Sequence, residues 1–455
     1  MPLVRGPWLL FLLVTVAFTA GGCRRESAPA QRAALPREAT ADDVVAAETN
    51  PAPSGREEVA AALAAVPYLK AYERVPAKPV VLDRDPARSW DGLNLYVSAH
   101  AAEAVLIDMS GRVLHRWRCP VRRLWPDLAA HPEIANLDYW RHAQLLPDGR
   151  LLAVYEGLGL VELDAASRVL WSYRAGTHHD FEVNGDGTIE VLERQWHVVP
   201  RVRSDRPVFE DFLTTLSAGG KPIRRLSLVE AFARSPWAGI LDHVPEQRTD
   251  IFHTNSVERL DGGPEERDPA FRRGNLLISM REPSMLAVVD PQRQAVVWAK
   301  RGAWRRQHQL TMLANGRLLL FDNGGAGKGR SRVIEVDRND GTIAWEYRGE
   351  PDAPLDSKTL GGVQRLPNGN LLITDSHQGR ALEVTPQKRV VWEFHNPHRQ
   401  GAHGEMVAAL FEVVRLGAGV KGSPTAARLS SWASSARPAA GGRSSSASPT
   451  SSEVE

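Results

Sequence analysis

Five of the chain's 14 histidines stand at one recurring place. His142 precedes Gly149, His178 and His179 precede Gly187, His253 precedes Gly262 and His308 precedes Gly316, each seven to nine residues upstream of its glycine. Side chains at equivalent places of a repeated unit occupy one layer, so these imidazoles are expected to converge. Asn255, two residues after His253, adds a carboxamide able to donate and accept hydrogen bonds. A neutral imidazole is a competent nucleophile near neutral pH, and a second imidazole can carry the proton that such a reaction moves. Histidines on one axis could instead hold zinc or copper. No carboxylate stands at a spacing that completes such a set and asparagine is a poor ligand, so no metal is expected. His142, in the same layer, reads as a polar channel lining without a chemical role.

The glycines belong to turns. Pro147-Asp148-Gly149 leads into the apolar run Arg150 to Val154, and Pro367-Asn368-Gly369 leads into Asn370 to Thr374. Asp-Gly and Asn-Gly between such runs mark hairpins, because these turns require positive φ. A second motif follows each hairpin: a short strand ending in an acid, a turn, and a strand closing on tryptophan. The acids Asp108, Asp164, Asp290, Asp337 and Glu383 precede Trp117, Trp171, Trp298, Trp345 and Trp392 by seven to nine residues. Together these signals divide the chain into six units, 93–117, 139–174, 177–232, 253–302, 306–349 and 361–397. Four strands repeated at this period predict an all-β fold, a six-bladed β-propeller of four-stranded antiparallel sheets whose first strands line a central channel, with seven blades as the alternative. The tryptophans are read as wedges between blades. The third unit lacks one, and Pro200 to Asp250 contains an insertion with a short helix around Leu228 to Ala233. Asn184 to Gly187 lacks the downstream glutamate of a calcium loop and reads as a hairpin turn.

Of the 455 residues, 43% are apolar and 24% charged, enough for a sizeable core. With 56 Lys and Arg against 54 Asp and Glu, the net charge of +2 gives no field to attract nucleic acid, and no nucleic-acid partner is expected. Two cysteines, Cys23 and Cys119, exclude a disulfide scaffold or a thiolate cluster. After Arg5, the eleven-residue apolar run Trp8 to Phe18 is too short for a hydrocarbon core of about 30 Å and reads as a signal segment. It ends in Ala20-Gly21-Gly22-Cys23, which resembles a bacterial lipobox. Residues 1–22 are therefore expected to be a lipoprotein signal peptide, with lipid on Cys23 anchoring the protein in the outer membrane, facing periplasm or cell surface. Residues 23–55 read as a flexible tether, with Ser54 and Glu57 a capping box for a short helix over Val59, Leu63 and Val66. Residues 56–417 read as the propeller, and the Ser/Ala-rich residues 418–455 as a disordered tail.

Several stretches resemble one family. Phe252-His253-Thr254-Asn255-Ser256, Asn275 to Arg281, Gln307-His308, Phe321 to Gly324 and Gly362 to Asn370 are similar to the arylsulfotransferases, bacterial propellers. The resemblance implies transfer of a sulfuryl group from an aryl sulfate ester to a phenol, with no nucleotide donor and no cofactor, through a covalently modified histidine. It implies that His308 is the nucleophile, that His253, with Asn255, contacts the sulfate, and that Arg281 binds it; Arg281 could instead pair with Glu282. A further family histidine corresponds to His178 or His179, and local spacing leaves both open. The chain departs from the family in having no cysteine beyond Cys119 and in a charged insertion from Gly263 to Arg272, which is expected to lengthen a hairpin. A non-catalytic outer-membrane scaffold is the alternative, although it would not need His253, Asn255, Arg281 and His308 in one channel. A quinone-dependent dehydrogenase would want more blades and a calcium site.

Overall fold

The computed structural model describes residues 72–128, 137–262, 268–325, 327 and 330–417. The signal peptide, Cys23, the tether with its Ser54 helix, and the tail lie outside the described residues.

Among the described residues the strands build six antiparallel sheets of four strands each, one of them extended by a fifth. In four of the six blades the second strand is buried along its whole length, as in Leu151–Tyr155 and Leu276–Met280. Burial on both faces follows from being sandwiched between neighbouring blades. Blades 2 to 6 run outward in chain order from the inner strands Trp140–Leu145, Thr177–Val183, Thr254–Arg259, His308–Met312 and Gly362–Arg365. Blade 6 also carries Val81–Arg84 on its outer edge.

Blade 1 closes the ring. The unit 93–117 supplies only three strands, Leu93–Ser98, Glu103–Ile107 and Val113–Arg118. Its inner strand is Leu410–Leu416, paired from Leu93↔Leu416 to Ser98↔Leu410. Each inner strand touches the next, and Leu410–Leu416 touches both Gly362–Arg365 and Trp140–Leu145, so the propeller has six blades around one channel.

The seam between blades 6 and 1 is held by Arg415, which is fully buried. Its Nη1 lies 2.9 Å from Glu383 Oε2, its Nε donates to Asn94 Oδ1 at 2.5 Å, and its guanidinium lies 4.8 Å from the Trp392 ring centroid. Arg415→Ala would strand the Glu383 carboxylate in the interior, and removing one partner of such a pair costs about 3–5 kcal/mol. A lowered denaturant midpoint with unchanged slope is the expected result; a shift within error would show that water reaches the seam.

The tryptophans are structural, as expected. Trp392 Nε1 donates to Met109 O and Trp345 Nε1 to Pro386 O, each at 3.0 Å and each from one blade to the next. A Cβ at Gly220 would come within 2.3 Å of the Trp171 ring, so blade 3 packs its turn directly on blade 2. Within the stretch from Pro200 to Asp250, Arg203–Leu216 and Pro222–Ser227 are the outer strands of blade 3. The run Val208 to Leu216 is buried and rich in apolar and β-branched residues, which favours strand. The helix Leu228–Ala233 forms as anticipated, with Ser227 Oγ accepting from Glu230 N at 3.0 Å. Asn184 to Gly187 is a hairpin turn, Gly187 N donating to Asn184 O at 3.0 Å. Of the charged insertion, Gly263 to Glu266 and Arg267 lie outside the described residues, and Pro269–Phe271 forms one 3-10 turn.

Candidate active site

Four consecutive inner strands are interrupted at the same level. Register shifts fall between Trp140 and His142, Thr177 and Phe181, Thr254 and Ser256, and His308 and Thr311. His179, His253 and Gln309 adopt left-handed backbone with φ of 56°, 51° and 48°. In a regular strand adjacent side chains face opposite ways, whereas a bulge re-aims one of them. Consecutive residues can thus both face the channel, and non-glycine residues held at positive φ gather where function constrains them.

A small cavity of about 20 Å³, partly open to solvent, lies at this level. His142, His179, Asn255 and His308 line it, with Arg141, Asp180, Gln309, Gly361, Phe411 and Glu412. Gly361, at φ +143°, leaves no room for a side chain: a Cβ would meet the Phe321 ring at 2.4 Å.

His308 is almost wholly buried. Its Nδ1 lies 2.7 Å from Asn323 Oδ1 and 3.1 Å from the Arg306 carbonyl. Asn323 Nδ2 donates to the carbonyls of Ser357 and Leu360, so the amide oxygen is the atom turned to His308. Both neighbours of Nδ1 are acceptors, which places the proton there and leaves the lone pair on Nε2. Nε2 is buried without a hydrogen-bond partner. Burial, with the charges of Arg141 and Arg281, holds this imidazole well below its ordinary pKa.

His253 leans on an acid that sequence reasoning missed. Asp250 Oδ2 lies 2.6 Å from His253 Nδ1, and Asp250 Oδ1 accepts the His253 amide at 2.8 Å. Burial would raise the Asp250 carboxyl, but His253 outweighs it and keeps Asp250 ionised; burial and Asp250 together push the Asp211 carboxyl up. The dyad went unrecognised because Asp250 falls at the end of the stretch that contains the insertion.

The adjacent histidines separate. The His179 ring lies 4.9 Å from that of His253 and 6.4 Å from that of His308, and it lines the cavity. His178 lies behind it, its Nδ1 3.0 Å from His179 Nδ1 and its Nε2 3.7 Å from Asp211 Oδ1. Burial lowers both pKa values well below the ordinary one, aided by Arg194 at His178 and by Arg141 at His179. Glu156 approaches the pair, and Glu156, His178 and His179 offer ligand atoms within 4.8 Å of one another. The two Nδ1 atoms are turned on each other, and Glu156 Oε2 accepts the His179 amide at 3.1 Å.

Asn255 Nδ2 donates one hydrogen to Gln307 O at 2.8 Å, leaving its second for the cavity. Arg281 sits beside His253, its amide donating to His253 O at 3.1 Å, but its guanidinium is paired with Glu282 and is not among the cavity-lining groups. Glu282 is held in turn by Arg248 at 3.2 Å. His142 Nδ1 lies 2.6 Å from Glu412 Oε2 and its Nε2 3.7 Å from Asp180. Burial alone would lower its pKa; the pairing with Glu412 raises it to about 9.

The Asn323 contact makes a prediction. Asn323→Ala removes the acceptor that fixes the His308 ring, and loss of one orienting hydrogen bond typically lowers turnover by about one to two decades. The expected signature is a fall in kcat with little change in KM; an unchanged kcat would mean that the Arg306 carbonyl alone orients the ring.

No curated protein matches the chain. Among solved structures, a protein of unknown function from Bacteroides caccae is similar at 10% identity and TM-score 0.47, over 71% of this chain and 98% of that one. A streptogramin B lyase is similar at 12% identity and TM-score 0.40, over 75% and 95% of the two chains. The β-propeller domain of Cps50 (Swd1) from Myceliophteria thermophila is similar at 12% identity and TM-score 0.38, over 75% and 98%. These distances carry no functional argument. The arylsulfotransferase (ASST) family, by contrast, matches residues 142–397, more than half of the chain and the whole run from His142 through blade 6. The chain belongs to the arylsulfotransferase (ASST) family.

Proposed function

We propose that the protein transfers a sulfuryl group from an aryl sulfate ester to a phenolic acceptor, without a nucleotide donor, through a sulfohistidine at His308. The observation that carries this reading is the His308 ring: Nδ1 bound to two acceptors, Nε2 buried and unpartnered, beside a polar cavity. In the first half-reaction the Nε2 lone pair forms a bond to sulfur while the bond from sulfur to the aryl oxygen breaks. The electron pair leaves on the phenolate, which takes a proton from His253. Positive charge developing on His308 is met by Asn323 Oδ1 and the Arg306 carbonyl. In the second half-reaction the acceptor phenol gives its proton back to His253, its oxygen attacks sulfur, and the pair of the N–S bond returns to Nε2. Asp250 holds Nδ1–H of His253, so the exchanged proton is the one on Nε2. His179 and Asn255 supply donors to the sulfuryl oxygens, and His178 backs His179. Lipid on Cys23 would keep the enzyme at the outer membrane, where periplasmic or external aryl sulfates are within reach. Nothing favours the scaffold alternative.

The direct test is incubation with a chromogenic aryl sulfate, with and without an added phenol. Phenol-dependent release of the chromophore is expected, with the sulfate recovered on the added phenol; release independent of any acceptor would contradict transfer.

A pH dependence follows from the buried imidazole. The nucleophile must be neutral, and His308 is held below the ordinary value of about 6.5. Donor kcat/KM is therefore expected to stay level as pH falls through about 6.5, declining only below it. An acid limb at or above that value would contradict the assignment. Asp250→Asn keeps a hydrogen-bonding partner for His253 but removes its charge, and is expected to lower transfer by about two decades. The deficit should shrink for donors whose phenols leave without protonation; an equal deficit for all leaving groups would show that His253 carries no proton.

A further inference from the structure

We infer that Arg141 is the anion-binding residue of the cavity, the group that takes the sulfate of the donor, with Phe411 as the surface that holds its guanidinium. The inference rests on the proposed sulfuryl transfer only for which oxyanion is bound; the subsite itself takes a sulfate-type group.

The backbone aims Arg141 inward. It is the residue inside the register shift between Trp140 and His142, and both it and its neighbour His142 line the cavity, which regular alternation would forbid. Its exposure is 7%. Six arginines of the described residues are buried to this degree, and five of them pair with a carboxylate: Arg194 with Glu156, Arg281 with Glu282, Arg332 with Asp322, Arg380 with Asp375 and Arg415 with Glu383. Arg141 has no carboxylate or hydrogen-bond acceptor among the described residues, only the Phe411 ring 5.2 Å away. The nearby acids do not serve it: Glu412 holds His142 at 2.6 Å, and Asp180 faces His142 at 3.7 Å while accepting the Val257 amide at 3.0 Å. A buried cation without a counter-charge is costly, and an anionic ligand supplies the missing partner. Arg141 also acts on His308 more strongly than Arg281 does, and it is the first charge felt by His179. Family resemblance points to Arg281, whose guanidinium is engaged by Glu282, whereas Arg141 and Phe411 both fall outside the 142–397 match.

The test compares Arg141→Gln with Arg281→Gln in two readouts. Calorimetric titration with inorganic sulfate should show binding to the wild type, weakened about ten- to hundred-fold in Arg141→Gln, the loss expected for one charge-assisted contact, and only a few-fold in Arg281→Gln. The acid limb of kcat/KM should move to higher pH in Arg141→Gln, since the His308 ring then faces only Arg281, His253, His179, Asn323 and the Arg306 carbonyl. Should Arg141→Gln fail to fold, Arg141→Lys keeps the charge without the fork, and a weakened sulfate affinity with an unmoved acid limb is expected. Sulfate affinity unchanged in Arg141→Gln or in folded Arg141→Lys, or no sulfate binding by the wild type, overturns the inference. Arg141-dependent sulfate binding in a protein that transfers from no aryl sulfate leaves the subsite standing and removes the sulfotransferase reading. Full transfer by Arg141→Gln does the reverse.

Discussion

Replacing His308 by alanine is expected to abolish sulfuryl transfer while leaving the fold intact. The ring borders a polar cavity, so its loss removes chemistry, with little core. Without Nε2 the covalent route is closed, and direct displacement between two phenols at sulfur would have to proceed with neither substrate activated. Removing a nucleophile that acts in concert with its partners typically costs about four or more decades. Adding Asn323→Ala or Asp250→Asn to His308→Ala should cost nothing further, because those residues act through a reaction that no longer occurs. Steady-state assays on the single and double variants check this. A His308→Ala enzyme retaining a tenth of wild-type turnover would place the nucleophile elsewhere.

Removal of Leu410–Leu416 is expected to have the largest effect on stability. This strand is the innermost of blade 1, and its loss leaves Leu93–Ser98 as an unpaired edge and opens the ring between blades 6 and 2. Leu410, Phe411, Val413 and Leu416, all buried, leave with it, as does Arg415, which would strand Glu383. An exposed apolar edge strand recruits other chains. A protein ending at Ala409 should therefore lose its cooperative thermal transition and elute as aggregate. A monomer with a melting temperature within a few degrees of wild type would show that the other five blades hold themselves closed.

The turns and tryptophans carried the blade pattern in the sequence because each blade must make a positive-φ hairpin and each outer strand must wedge against its neighbour. Leu410–Leu416 has neither signal. It has no turn glycine of its own and no tryptophan, and its place is fixed by pairing with a strand more than 300 residues earlier. The histidine layer was legible for the same reason as the blades, and the structure brings His179, His253 and His308 together. What spacing could not resolve is set by the bulges. A bulge makes both His178 and His179 inward neighbours, one facing the cavity and one behind it, and a bulge turns Arg141 inward. Asp250 and Asn323 were hidden differently. Each acts on one ring nitrogen of a histidine, a contact made by the fold with no repeat behind it.

The central claim is that sulfur resides on His308 between two half-reactions. Protein mixed with an aryl sulfate in the absence of acceptor, quenched in base and digested, should yield the peptide containing Gln307 and His308 carrying one sulfuryl group, localised to His308 by fragmentation. The label should vanish when a phenol is added before the quench. Turnover with an unlabelled His308 peptide, or a label on His179, His253 or any other residue, would contradict the account.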